Sequence, residues 1–113
     1  MWIVTNESFL SVVQDRNNPD QFVIRARIKG DIEKFMGEDA PVSVIEMDNS
    51  DYRFRAFVDK SVFRMKMADA IDSIDYDNFK KTVTEKQRKA WYMDIWGTMF
   101  CAQDSLYGKQ KWW

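Results

Sequence analysis

The stretch "DYRFRAF" (51–57) decides the fold, because it alternates its side chains with the period of two that a β-strand requires. In such a strand one side carries Arg53, Arg55 and Phe57, and the other side carries Tyr52, Phe54 and Ala56. The apolar side is expected to face a core, and the charged side is expected to face solvent or a partner.

The stretch "VIRARI" (23–28) repeats this alternation and places Arg25 and Arg27 opposite its apolar residues. If both strands expose the same side, four arginines form one surface beside Phe57. Guanidinium groups bind carboxylates or phosphates through paired donors, and a nearby ring adds a stacking surface. Two interpretations stay open: a surface that holds an anionic partner, or a solvated face. In the second, the arginines pair with Glu33, Glu46 or Asp48.

The segments around these strands predict the rest of the fold. Residues 1–15 are expected to form one strand, or two short strands broken at Asn6-Glu7, and the turn-forming residues 15–21 join them to a strand at 21–28. Further strands are expected at 42–47 and 52–58, with helices at 30–37, after Asp59 and from Thr84 to about Leu106. We therefore predict one α+β domain over residues 1–113. It contains a four-stranded, mainly antiparallel sheet in the order β-β-α-β-β-α-α, with helices packed on one face.

The last predicted helix is apolar on nearly every side. Such a helix is either centrally buried or uses its second face to contact a partner. With five tryptophans in the chain, we expect a homodimer through this helix to be worth testing. Trp112 and Trp113 follow it, and these indoles are expected either to dock on the chain itself or to enter an interface.

Composition excludes several classes of site. The chain has no histidine, which excludes Cys–His and Ser–His catalytic pairs and ordinary structural zinc sites. Its one cysteine, Cys101, excludes an internal disulfide, and the apolar pattern around it predicts a buried thiol. With only four glycines there is no phosphate-binding glycine loop. We therefore expect a protein that is not an enzyme and uses no cofactor and no metal.

Charge and hydropathy bear on location and partners. Seventeen basic and eighteen acidic residues give a net charge of −1, so any electrostatic function has to be local. No apolar run approaches the roughly 18 residues of a membrane-spanning helix, and the N-terminus lacks the basic start of a signal peptide. We expect a cytoplasmic protein without a membrane partner.

A second basic cluster lies in "KKTVTEKQRK" (80–89). It contains Lys80, Lys81, Lys86, Arg88 and Lys89 against a single acidic residue, Glu85. Several of these cations fall in the first turns of the last helix, where the helix dipole disfavours them. This cluster is the alternative site, for a nucleic acid or a nucleotide, unless it is simply a solvated helix start. The acidic run at 69–77 fits surface and capping roles better than a calcium loop.

Five stretches together resemble a family of small, uncharacterised bacterial proteins that are borne by prophages and plasmids. They are "FLSVVQDR" (9–16), "VIRARIKGDIEKFMG" (23–37), "DYRFRAFV" (51–58), "IDYDNFKKTV" (74–83) and "YMDIWGTMF" (92–100). The resemblance runs through most of residues 1–100 and leaves out the tail after Ala102. It implies no catalytic residues. It does imply an accessory role, such as binding and blocking a host defence component in the manner of an anti-CRISPR protein.

These observations lead to the hypothesis of a non-enzymatic accessory binding protein of a phage or mobile element. It would act stoichiometrically on a host protein or ribonucleoprotein complex. The residues expected to bind that partner are Arg25, Arg27, Arg53, Arg55, Phe57, Trp112 and Trp113.

Overall fold

The computed structural model of the chain describes residues 1–108, and residues 109–113 lie outside the described part. The chain divides into two compact units, Met1–Asp77 and Asn78–Trp113. The first unit contains the sheet and the second is helical, and the single domain over residues 1–113 stays a prediction. Each unit is described by itself.

The first unit contains a five-stranded sheet and two helices. Its elements are β1 (Trp2–Val4), β2 (Phe9–Gln14), β3 (Gln21–Ala26), α1 (Asp31–Met36), β4 (Ile45–Glu46), β5 (Phe54–Asp59) and α2 (Lys60–Asp72). All neighbouring strands pair antiparallel, in the order β1-β2-β3-β5-β4. The predicted α+β class with an antiparallel sheet is therefore confirmed.

The predicted number of four strands and the predicted element order are wrong. A tight turn divides the first segment into β1 and β2: the Thr5 N–H donates to the Ser8 carbonyl at 2.8 Å, and the Ser8 N–H donates to Thr5 Oγ1 at 3.0 Å. The short polar side chain of Thr5 thus completes a turn at Asn6-Glu7, so of the two alternatives for the first segment the one with two short strands is formed. The observed order in this unit is β-β-β-α-β-β-α.

One face of the sheet forms the hydrophobic core. It is built from even-numbered residues of the three central strands: Leu10, Val12, Ile24, Ala26, Phe54, Ala56 and Val58. Ile32 and Met36 of α1 and Phe63 of α2 pack against them. The period of two makes this possible, because every second side chain points to the same face. The odd-numbered residues of these strands consequently lie on the opposite face.

The described part of the second unit, residues 78–108, contains two helices, α3 (Phe79–Thr82) and α4 (Lys86–Tyr107). α4 has 22 residues, and it ends at Gly108, whose φ of 79° lies in the left-handed region that glycine adopts readily. The sequence correctly predicts this end. The predicted start at Thr84 is two residues too early: α4 begins at Lys86, Glu85 is its N-cap residue, and no side-chain cap bond is present there.

Candidate binding surface

The face of the sheet opposite the core carries the predicted arginines. Strand register aligns one residue from each strand in a single row: Trp2, Ser11, Arg25, Arg55 and Ile45. We call this side the open face and define it by Trp2, Phe9, Ser11, Val13, Val23, Arg25, Ile45, Arg55 and Phe57. α1 and α2 pack on the other side of the sheet.

Arg25 and Arg55 stand directly opposite each other on β3 and β5. The Lys60 N–H donates to the Asp20 carbonyl at 2.9 Å, so Asp20 and Lys60 are a hydrogen-bonded pair at the end of the β3–β5 ladder. Hydrogen-bonded and non-hydrogen-bonded pairs alternate from there along the two strands. Arg25 and Arg55 then form a non-hydrogen-bonded pair, in which the two Cα atoms are only about 4.5 Å apart and the side chains approach closely. Two like charges therefore face each other at the centre of the sheet.

Serine hydroxyls hold both guanidinium groups in place. Arg25 Nη2 donates to Ser11 Oγ at 2.8 Å, and Arg55 Nη2 donates to Ser50 Oγ at 2.9 Å. Ser11 is the register partner of Arg25 on β2, and Ser50 lies in the loop that precedes β5. The arginines are thus positioned by neutral groups, which orient the positive charge without neutralising it.

Arg53 is different, because it is matched by carboxylates. Its Nε lies 3.3 Å from Glu46 Oε1, and its Nη2 lies 3.0 Å from Asp48 Oδ1. Among residues 1–108, no carboxylate oxygen lies within 4.0 Å of the guanidinium groups of Arg25, Arg27 or Arg55. The solvated-face interpretation therefore describes Arg53, and within residues 1–108 it leaves the other three arginines without a counter-ion.

Tyr52 connects the arginines, although alternation places it on the core side with Phe54. β5 begins only at Phe54, and residues 51–53 form a bend in which the Tyr52 N–H donates to Asp51 Oδ1 at 3.0 Å. The Tyr52 ring consequently lies under two guanidinium groups, with Arg25 Cζ 4.4 Å and Arg27 Cζ 4.0 Å from its centroid. Tyr52 is only 4% exposed. Sequence reasoning missed this role because the period of two holds only inside a strand.

The environment of Tyr52 also affects its hydroxyl. Burial disfavours the charged phenolate, but hydrogen bonds with Ser11, Trp2 and Arg27 and the positive charge of Arg27 outweigh it. The pKa of Tyr52 is therefore lowered from its ordinary value of 10.0.

Apolar side chains flank the arginine pair on both sides. Phe57 is 45% exposed and stands opposite Val23 in the register, and Ile45 is exposed on the outer strand. Trp2 and Val13 are exposed toward the other edge. The structure thus places Arg25, Arg27, Arg55 and Phe57 together, with Arg53 beside them. Trp112 and Trp113 lie outside the described residues.

The alternative basic cluster lies in the second unit. Lys80, Lys81, Lys86 and Lys89 are exposed, and Lys80 Nζ lies 5.4 Å from the centre of the Trp96 ring. Arg88 does not share this surface. It is 1% exposed and donates to Glu85 Oε2 at 2.8 Å and to the Tyr92 hydroxyl at 3.1 Å. A buried guanidinium of this kind is a structural group rather than a phosphate contact.

α4 also presents a stripe of exposed apolar residues. Ile95, Met99, Ala102 and Leu106 follow one another at spacings of four, three and four, and all are exposed. Trp91 and Trp96 are exposed beside them. Cys101, which was expected to be buried, is also exposed. The prediction of a buried thiol is wrong, because apolar residues lie on nearly every side of α4 and the side that carries Cys101 is exposed.

Other features of the chain lie apart from the open face. Lys66 Nζ donates a hydrogen bond to Asp39 Oδ1 at 2.6 Å. This bond and the positive charge of Lys66 lower the pKa of Asp39 from its ordinary value of 3.8. Within the described part of the chain, no group of three or more Cys, Asp or Glu side chains is arranged to hold a metal ion. Across residues 1–108, every helix is too short or too polar to traverse a bilayer.

Comparisons with protein-family models, with curated proteins and with solved structures give no match for this chain.

Proposed function

We propose that the protein is a non-enzymatic binding protein whose open face docks on an acidic surface of a protein or ribonucleoprotein partner. The observation that carries this proposal is the contrast between the arginines. Arg53 has two carboxylate partners, whereas Arg25, Arg27 and Arg55 have none among residues 1–108. Cations that are oriented but not neutralised favour an external anion.

The surroundings of these arginines support a protein partner. Exposed aromatic and aliphatic side chains lie on either side of them, with Phe57 and Trp2 the largest. Interfaces combine aromatic anchors with arginines in this way, because rings bury a large apolar area and arginine donates several hydrogen bonds in one plane. The open face therefore has the composition of a docking surface for a folded partner.

The resemblance to prophage- and plasmid-borne proteins favours a partner in the bacterial host. We propose an accessory role on a mobile element, in which the protein blocks a host defence complex stoichiometrically in the cytoplasm. Stoichiometric inhibition requires only a tight interface and no reaction chemistry. Nothing in this role depends on a cofactor.

Affinity capture from a host lysate, with identification by mass spectrometry, tests the proposal. Wild-type protein is expected to capture a partner that Arg55→Glu captures at least about tenfold more weakly, since reversing a desolvated interface charge costs more than about 1.4 kcal/mol. Arg53→Gln is the control, because Glu46 and Asp48 already neutralise Arg53 and a glutamine there adds no negative charge. Equal capture by wild type and Arg55→Glu would contradict the proposal.

The alternative function is direct binding of nucleic acid or a nucleotide by the exposed lysines Lys80, Lys81, Lys86 and Lys89. The observation in its favour is Lys80 beside the Trp96 ring, since stacking and a nearby cation suit a single-stranded base. A mobility-shift titration at two salt concentrations separates the two functions. A shift that weakens steeply with added salt supports this alternative, and no shift at low salt excludes it.

For α4 we propose a second copy of the chain as partner. The spacing of Ile95, Met99, Ala102 and Leu106 is that of a coiled-coil seam, and no charged residue interrupts the stripe. With Trp91 and Trp96 it offers on the order of 600 Å² per subunit, the lower end of a stable interface.

Charging this stripe is expected to convert a dimer into a monomer. The variant Met99→Glu/Leu106→Glu places two carboxylates from each subunit in an apolar contact, where they cannot be solvated. Light scattering after size exclusion, at about 100 μM, measures the mass. Gly97→Ala is the control, because Gly97 lies on the opposite side of α4 and an added Cβ meets no atom within 4 Å. A wild-type mass of one chain would refute self-association.

A further inference from the structure

We propose that Arg25 and Arg55 form a two-guanidinium site for one carboxylate, supplied by an acidic side chain of the partner. This inference rests on the proposed function, because it names the chemical group that the open face holds. It concerns one point of that face rather than its whole area.

The first argument is the direct opposition of the two charges. Arg25 and Arg55 are register partners in a non-hydrogen-bonded pair, the closer of the two antiparallel arrangements. Like charges directly opposite each other destabilise a sheet. One anion bound by both guanidinium groups adds two attractions that offset this repulsion. A single shared counter-ion therefore lowers the electrostatic free energy of the pair more than an anion that contacts only one arginine.

The second argument is the set of donors that remains. The Nη2 atoms are engaged by Ser11 and Ser50, but Nε of Arg25 and Nε of Arg55 are buried without any hydrogen-bond partner in the described chain. Buried polar groups in folded proteins nearly always have partners, so an unsatisfied Nε donor on each of two directly opposed arginines calls for an explanation. Because these Nε atoms expose almost no surface, a partner oxygen meets the guanidinium groups at their Nη atoms, and its negative charge offsets the cost of two cations whose Nε–H groups are left unsatisfied.

The third argument is that both groups are partly withdrawn from water. Arg25 and Arg55 are half-buried, and the Tyr52 ring covers one side of the Arg25 guanidinium. Interactions between charges strengthen as water is excluded, and an unpaired cation becomes more costly in the same place. An anion at this position therefore gains more than it would beside a fully exposed arginine.

The surroundings favour a lone carboxylate over a run of phosphates. Val23, Phe57 and Ile45 lie next to the pair, and these side chains offer nothing to a polyanion. Glu46 and Asp48 lie at the edge of the same area and repel additional negative charge. A single acidic side chain set in an apolar protein surface complements both features.

The test uses the free chain with sodium acetate as the carboxylate probe. Sodium chloride is replaced stepwise by sodium acetate at a constant ionic strength of about 0.2 M, and unfolding is followed by calorimetry. Acetate is expected to raise the Tm of the wild type by about 2–5 °C through linkage to the folded state. In parallel, the Nε–H NMR signals of Arg25 and Arg55 are expected to shift and saturate with acetate.

Three variants separate a specific site from a general salt effect. Arg25→Gln and Arg55→Gln are expected to lose most of the acetate-dependent rise, whereas Arg53→Gln is expected to keep it. Acetate stabilises many proteins weakly because it is excluded from their surface, and this non-specific part of the rise in Tm remains in all variants. An equal rise in all three variants, or no saturable shift of the two Nε–H signals in the wild type, overturns the site. The NMR measurement decides even if a variant does not fold.

Sodium phosphate at the same ionic strength tests the competing ligand. A larger stabilisation by phosphate than by acetate, lost in the same two variants, overturns the assignment to a carboxylate.

The acetate measurement requires no partner, so it is independent of affinity capture. If acetate binds and no partner is captured, the proposed function fails while the site stands. If capture depends on Arg55 and acetate does not bind, the carboxylate site is refuted and the proposed function stands.

Discussion

Phe63→Ala is expected to lower the free energy of unfolding by about 3–5 kcal/mol, a large part of the stability of a small domain. Phe63 is 2% exposed and lies where α2 meets the sheet. Its ring contacts Phe22 edge to face, with centroids 5.8 Å apart, and stacks on Phe35 at 5.5 Å. Truncation removes both contacts and leaves a cavity that neighbouring rings can fill only partly. Chemical denaturation followed by circular dichroism measures the loss.

Phe57→Ala is the matched control for Phe63→Ala. Both substitutions delete a phenylalanine ring, but Phe57 is 45% exposed on the open face. We expect Phe57→Ala to cost less than about 1 kcal/mol of stability and to weaken partner capture, whereas Phe63→Ala acts on stability. Similar losses of stability in the two variants would show that the two faces of the sheet are misassigned.

Tyr52→Ala is expected to lower stability by about 3 kcal/mol and to weaken partner capture as well. The ring is almost completely buried and supports the guanidinium groups of Arg25 and Arg27. Without it, both arginines lose a cation–π contact and gain rotamers, so ordering them costs more on binding. Stability is measured by denaturation, and capture is measured at a temperature where the variant is still folded.

Tyr52→Phe separates the two contributions of this side chain. It keeps the ring and removes only the hydroxyl that interacts with Ser11 and Trp2. A loss of about 1 kcal/mol in stability with nearly unchanged capture is expected. If Tyr52→Ala and Tyr52→Phe weaken capture equally, the hydroxyl rather than the ring positions the arginines. If neither variant changes capture, Tyr52 has no role in the surface.

The comparison of Arg53 with Arg55 shows how far sequence reasoning reaches. Both arginines follow the same alternation, and both belong to the predicted surface. Arg53 is neutralised because β4 is the neighbour of β5 and brings Glu46 and Asp48 to it. Alternation along one strand contains no information about the neighbour of that strand, so it cannot distinguish the paired arginine from the unpaired one.

α2 shows a second limit of the pattern. Phe63 and Ile71 lie eight residues apart, a spacing typical of one core-facing side, and only Phe63 is buried. Ile71 is 60% exposed although it belongs to the same stripe. Helical spacing predicts which side of the helix faces the core, but it does not predict how much of that side is covered.

The amino-acid sequence by itself determined the α+β class, the antiparallel strands, and the opposition of Arg25 and Arg55 to the core residues of their strands. These properties follow from local backbone geometry, since side chains in a strand must alternate between its two faces. Only the tertiary structure decided the fifth strand, the position of Tyr52 beneath two arginines and the absence of a carboxylate beside Arg25 and Arg55 among residues 1–108. Those properties depend on strand order, register and the bend before β5, which bring together residues that are distant in the chain.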